Sequence, residues 1–201
     1  MSDDPQKIPR AFHSAYLEAP FTECIDCQRL LDDTEGPYLI VKSFVGTEAV
    51  FEMAICLQCA HKMRSQYSAE TKQNLQVYLT DHLELNRNVF VGSGEDNESD
   101  IEKLISERIS RCVICQKPQP DCHRYEIVGH FFPNKMLQFF PEDMQQGSAG
   151  MAMMMCDDCN SKMSDLISKQ TRDSWDRFVE DHFDGPPGIE LGSPSFEPIL
   201  L

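Results

Sequence analysis

Eight of the nine cysteines in this chain stand in Cys-x-x-Cys pairs: Cys24 with Cys27, Cys56 with Cys59, Cys112 with Cys115, and Cys156 with Cys159. One such turn brings two sulfurs to the separation set by metal–sulfur bonds of about 2.3 Å, and a second turn closes a tetrahedron around the ion. The 28 residues between Cys27 and Cys56, and the 40 between Cys115 and Cys156, are enough for a β-hairpin. The spacing therefore predicts two metal sites, Cys24/Cys27/Cys56/Cys59 and Cys112/Cys115/Cys156/Cys159. Two zinc ions per chain are expected, with iron ranked behind zinc because the same four thiolates can hold it. Four sulfurs close the coordination shell and leave no position for water, which argues against catalysis at the metal. A thiol redox sensor is the alternative, although a redox Cys-x-x-Cys needs only one pair and a βαβ setting. Whether each site takes both pairs from one half, or exchanges pairs between halves, is open at this level; local pairing closes the shorter loops.

Other residues invite chemistry and receive plainer readings. Cys122, the ninth cysteine, reads as a structural thiol. His82 and His182 recur in Asp-His dipeptides at the end of an apolar helical stripe, where core or capping histidines are common. Lys62 and Lys162 follow the second cysteine pairs by three residues and are expected to offset thiolate charge. Met63 and Met163 are expected to pack inward.

The net charge of −15 is spread along the chain, and no segment is basic. Nucleic-acid and anionic membrane surfaces call for a cationic footprint, so both are disfavoured as partners. The first 20 residues are polar and Pro-interrupted, unlike a signal peptide, and no window approaches the length of about 18 apolar residues that a membrane helix requires. A cytoplasmic location is expected, where paired cysteines bind metal more often than they form disulfides.

The elements that must position the cysteines are themselves duplicated. Adding 100 aligns Met53, Cys56, Cys59, Lys62, Met63, Ser68, Thr71, Asp81 and His82 with Met153, Cys156, Cys159, Lys162, Met163, Ser168, Thr171, Asp181 and His182. The upstream pairs align at an offset of 88, so the second copy carries 12 extra residues between its pairs. In each copy a β-rich stretch follows the first pair; in copy one it runs on both sides of Gly46 as a hairpin. The second pair opens a helix, a break is expected near 67–71 with Thr71 and Thr171 as N-caps, and a second helix carries Leu75, Tyr78 and Leu79 or Trp175, Phe178 and Val179 on one face.

A Cys-x-x-Cys knuckle, a hairpin, and a helix whose first turn supplies the second Cys-x-x-Cys resemble the treble-clef zinc finger group, with a zinc ribbon as the alternative geometry. Such knuckles often have glycine after the second cysteine, where φ is positive; Gln28 and Gln116 stand there. The resemblance implies an α+β fold of two tandem treble-clef-like modules, and the apolar helical faces predict that they dock with pseudo-two-fold symmetry. The expected organisation is an irregular arm at 1–20, a zinc module at 21–85, an acidic linker at 86–100, a short helix capped by Asp100 plus a second module at 101–184, and a Pro/Gly-rich tail at 185–201.

The 12-residue excess falls in a stretch containing Phe131, Phe132, Met136, Leu137, Phe139 and Phe140, residues suited to contact with a protein partner. Closed metal sites, an acidic surface and this apolar insertion together suggest a structural zinc-binding interaction or scaffold module rather than an enzyme. A degenerate His-Asn-His-type nuclease or a nucleic-acid-binding finger pair is the alternative; the nuclease would require His123 or His130 near the helix.

Overall fold

The computed structural model describes residues 8–32, 36–82, 98–132, 135–136 and 152–183. Most of the linker expected at 86–100, the tail at 185–201, Leu137, Phe139 and Phe140, and the side chains of Phe132 and Met136 lie outside the described residues. The fold is mixed α and β. Its strands are β1 (Tyr38–Val45), β2 (Glu48–Cys56), β3 (Arg124–Phe132), β4 (Lys135–Met136) and β5 (Met153–Cys156); its helices are α1 (Leu57–Ser65), α2 (Ala69–His82), α3 (Glu98–Ile109), α4 (Asp157–Ser164) and α5 (Lys169–His182). No helix among the described residues is long and apolar enough to cross a membrane.

The hairpin at Gly46 forms as expected, with Gly46 at φ 60° in the left-handed region that favours glycine. The two halves, however, share one antiparallel sheet in the order β2-β1-β3, with β4 and β5 pairing to different stretches of β3. β1 lies against β3 along its whole length, from Tyr38 opposite Phe131 to Val45 opposite Arg124. The apolar run of β1, buried from Tyr38 to Ser43, fits a central strand covered on both faces.

Phe12 packs on one face of the sheet. Its ring meets that of Phe131 edge-on at 5.1 Å, over Gly129, where a Cβ would lie only 2.8 Å from Phe12 Cε1. The N-terminal arm is therefore anchored by a fully buried ring, and Glu52 ties it down further by accepting hydrogen bonds from Ser14 Oγ at 2.6 Å and the Ala15 N–H at 2.8 Å. On the opposite face Phe51 of β2 meets Trp175 of α5 at 6.4 Å and Phe183 at 4.7 Å. Phe131 is buried at 1% exposure between Phe12 and Tyr38, so this member of the expected partner surface belongs to the core instead.

Both expected helix breaks occur, but the caps differ. Ser68 and Ser168, not Thr71 and Thr171, take the N-cap role, each hydroxyl accepting the N–H of the threonine three residues on, at 3.0 and 3.4 Å. The threonine hydroxyls reach across instead: Thr171 Oγ1 accepts from the Ser68 N–H and Thr71 Oγ1 from the Ser168 N–H, both at 3.0 Å. The helix ahead of Cys112 starts at Glu98, so Asp100 lies within its first turn rather than at its cap.

Candidate metal centres

Each cluster is assembled from the same three pieces: a knuckle turn, the end of a strand and the start of a helix. In the first knuckle the Gln28 N–H donates to the Cys24 carbonyl at 2.8 Å and the Cys24 N–H to the Arg29 carbonyl at 2.9 Å; in the second, Gln116 to Cys112 and Cys112 to Lys117 are both 2.9 Å. This closure needs a positive φ after the second cysteine, and Gln28 and Gln116 adopt it at 57° and 62°. Glutamine thus takes the conformation usually left to glycine, at a cost of roughly 1–2 kcal/mol each. Strand edges hold the turns in place, through Ile25 N–H to Ala54 O at 2.9 Å and Val113 N–H to Met154 O at 2.8 Å. Cys56 and Cys156 then cap α1 and α4, and their N–H groups point at Cys24 Sγ and Cys112 Sγ at 3.3 and 3.4 Å.

The eight paired cysteines gather locally, as Cys24, Cys27, Cys56 and Cys59 and as Cys112, Cys115, Cys156 and Cys159, with all sulfurs of a group within 4.8 Å of one another. Pairs are not exchanged between halves. A tetrahedron with bonds of about 2.3 Å places its sulfurs about 3.8 Å apart; Cys27 to Cys56 is 3.9 Å and Cys115 to Cys156 is 3.6 Å. All nine cysteines are free thiols. The two groups could each hold a metal ion.

Their electrostatics suit that role. Burial pushes the Cys59 and Cys159 thiols well up, so a metal must displace their protons to bind. At Cys27 and Cys115 burial also pushes upward, but the N–H groups of Arg29 and Lys117 and the neighbouring thiols outweigh it and hold these two below the ordinary thiol value.

Each cluster also has a neighbour from the opposite half. Tyr78 of α2 lies within electrostatic reach of all four cysteines of the second cluster. His182 of α5 reaches the first knuckle, its Nε2 3.3 Å from Asp26 Oδ1. Asp26 also pairs with Lys62 at 3.5 Å and accepts a hydrogen bond from the Cys59 thiol. Burial pushes the Asp26 carboxyl up, but these contacts outweigh it and leave it below the usual carboxylate range. Lys62 therefore meets a carboxylate rather than the thiolates directly, while Lys162 is exposed. Met63 and Met163 are buried as expected.

The remaining candidates take structural places. His82 Nδ1 faces the Tyr78 carbonyl at 2.9 Å and its ring stacks on Tyr78, with His82 itself exposed. Cys122 donates to the Pro118 carbonyl at 3.4 Å. His130 is buried opposite Leu39 in the sheet, without a partner for Nδ1 among the described residues. The contact sequence reasoning missed is Asp26 with His182; an acidic residue inside one knuckle and not the other, together with the repeated Asp-His, was the available signal. No protein-family model matches this chain, and neither a curated protein nor a solved structure matches it.

Proposed function

We propose that the chain is a cytoplasmic, zinc-stabilised scaffold that binds a protein partner, built from two treble-clef-like modules docked about a pseudo-two-fold axis. The observation that carries the metal reading is the pair of closed four-cysteine groups, which have the donor chemistry and sulfur separations of a structural site and no open position for a substrate. The symmetric docking draws support from register. If β1 and β3 are matched by their pairing with β2 and β5, Val41 pairs with its own counterpart Val128, and Phe44 with Tyr125 mirrors Tyr38 with Phe131. The crossed Ser68–Thr171 and Ser168–Thr71 bonds have the same symmetry.

The partner surface is assigned to the insertion around Phe132, Met136, Leu137, Phe139 and Phe140, without Phe131. Metal analysis by native mass spectrometry should find two zinc ions per chain; fewer than about 1.5 metal ions would refute the metal reading. Deleting residues 137–150 should leave metal content unchanged and abolish partner capture from the native host. Identical captured sets with and without the insertion would refute the partner assignment.

A further inference from the structure

The two clusters have different connections to the helix that lies over them. Asp26 sits inside the first metal-binding turn, one residue before Cys27, so a metal that fixes this turn also fixes Asp26. Its Oδ1 is 3.3 Å from Nε2 of His182, both side chains being less than a fifth exposed. The imidazole is oriented from behind, because Nδ1 donates to the Phe178 carbonyl at 2.8 Å and the ring stacks on Phe178 at 4.3 Å. Phe178 stacks in turn on Trp175 at 5.4 Å, and Trp175 meets Phe51. A continuous line of contacts thus runs from the first knuckle, through Asp26 and His182, to the ring by which α5 docks on the sheet.

The second half repeats the geometry without the link. His82 is oriented by Tyr78 just as His182 is by Phe178, at 2.9 and 4.1 Å. The residue at the place of Asp26, however, is Ile114, whose alkyl side chain offers no acceptor.

We propose that Asp26 is a positioning residue that couples metal occupancy of the first centre to the docking of α5, and that the second centre lacks this coupling to α2. The inference rests on the reading that both clusters hold metal. Trp175 is the chain's only tryptophan and is buried, so its emission reports α5 docking directly.

The test uses the full zinc-loaded chain and a chromophoric chelator, following zinc release and Trp175 emission together. In the wild type, the red shift of Trp175 should accompany one of the two zinc ions and not the other. Cys112→Ser, which leaves only the first centre loaded, should still show the shift when its remaining zinc departs. Asp26→Asn and His182→Phe, the latter keeping the stack on Phe178, should each release that same zinc about tenfold faster while the other leaves at the wild-type rate. Each should also separate the emission change in time from zinc release. Wild-type release rates in both variants, or a red shift that follows both ions equally, would overturn the coupling alone. A chain that binds no metal would overturn the metal reading and the coupling together.

Discussion

The first and second clusters agree closely in everything a metal would touch. Their knuckle bonds are 2.8 and 2.9 Å, their cysteine N–H to sulfur contacts 3.3 and 3.4 Å, and both glutamines turn left-handed. One shell further out they part. The first cluster faces Asp26, Lys62 and His182; the second has Ile114 in place of Asp26 and the exposed pair of Lys117 with Asp158 at 3.2 Å. The strands beside them differ likewise. Glu126 and His130 of β3 are buried ionisable residues, while the matching positions of β1 are Leu39 and Ser43. Both copies keep the parts that four sulfurs require and the crossed Ser68–Thr171 and Ser168–Thr71 bonds at the junction, whereas the Asp26–His182 contact between halves exists on one side alone.

The severest way to break the comparison is to cut it. Residues 1–90 and 91–201, each made alone with zinc, are expected to lack a cooperative unfolding transition and to recover one when mixed, because β1 and β3 bury one another. Two halves that fold separately and ignore each other in analytical ultracentrifugation would overturn the shared-sheet account.

A smaller effect tests the asymmetry of the strands. Burial pushes the Glu126 carboxyl up to about 8, with the Ser43 hydroxyl pulling weakly the other way. An acid whose folded value is raised contributes fully below the ordinary carboxylate range, and the contribution is lost as pH rises from there to about 8. Glu126→Gln should therefore gain on the wild type between pH 5 and pH 8, by an amount on the order of a few kcal/mol in urea unfolding. Burial, with Arg64 adding to it, pushes His130 down to about 4, so its contribution runs the opposite way, present above the ordinary imidazole value and lost as pH falls towards about 4. The equivalent change at Leu39, to Gln, should cost stability at every pH.

The symmetric contacts should answer symmetrically. Thr71→Val and Thr171→Val each remove the acceptor of a serine N–H from the opposite half, at an expected cost of about 1–2 kcal/mol each. The double variant should cost less than the sum, since the four hydroxyls form one knot in which Ser68 meets Ser168 at 2.8 Å and Thr171 meets Thr71 at 3.0 Å. Unequal single costs would show that the knot is less symmetric than its distances. The smallest effect concerns the knuckles: Gln28→Gly and Gln116→Gly relieve a left-handed strain but loosen the unfolded chain, so each should change stability by less than about 1 kcal/mol, in the stabilising direction and equally at both sites.

Much of the site was legible because the Cys-x-x-Cys turns that build the two sulfur groups are written in local spacing. The eight cysteines, the turn at Gly46 and the helix breaks all depend on residues close in sequence, and all took the places expected. What stayed hidden depends on distant partners. Nothing in the apolar run of β1 says which strand covers its second edge, since any apolar strand would serve, and β3 is that strand. Phe12 read as part of an irregular arm because a lone aromatic among prolines carries no periodicity, yet it is a core residue. Thr71 and Thr171 satisfied the pattern for an N-cap, but the serines three residues earlier take that role and free the threonines to bind across the junction.

The pairing of β1 with β3 also has a meaning in time. Partners across this ladder lie roughly 80 to 90 residues apart, so during synthesis at about 5–20 residues per second the first half waits several seconds for its sheet to be completed. All four cysteines of its cluster are already made by residue 59. For that interval the four cysteines could already take up a metal ion while one long apolar strand edge stands open, the kind of edge that pairs readily with another chain. Until β3 emerges, the open edge of β1 therefore gives the nascent chain a route to pairing with a neighbour before its own sheet is complete.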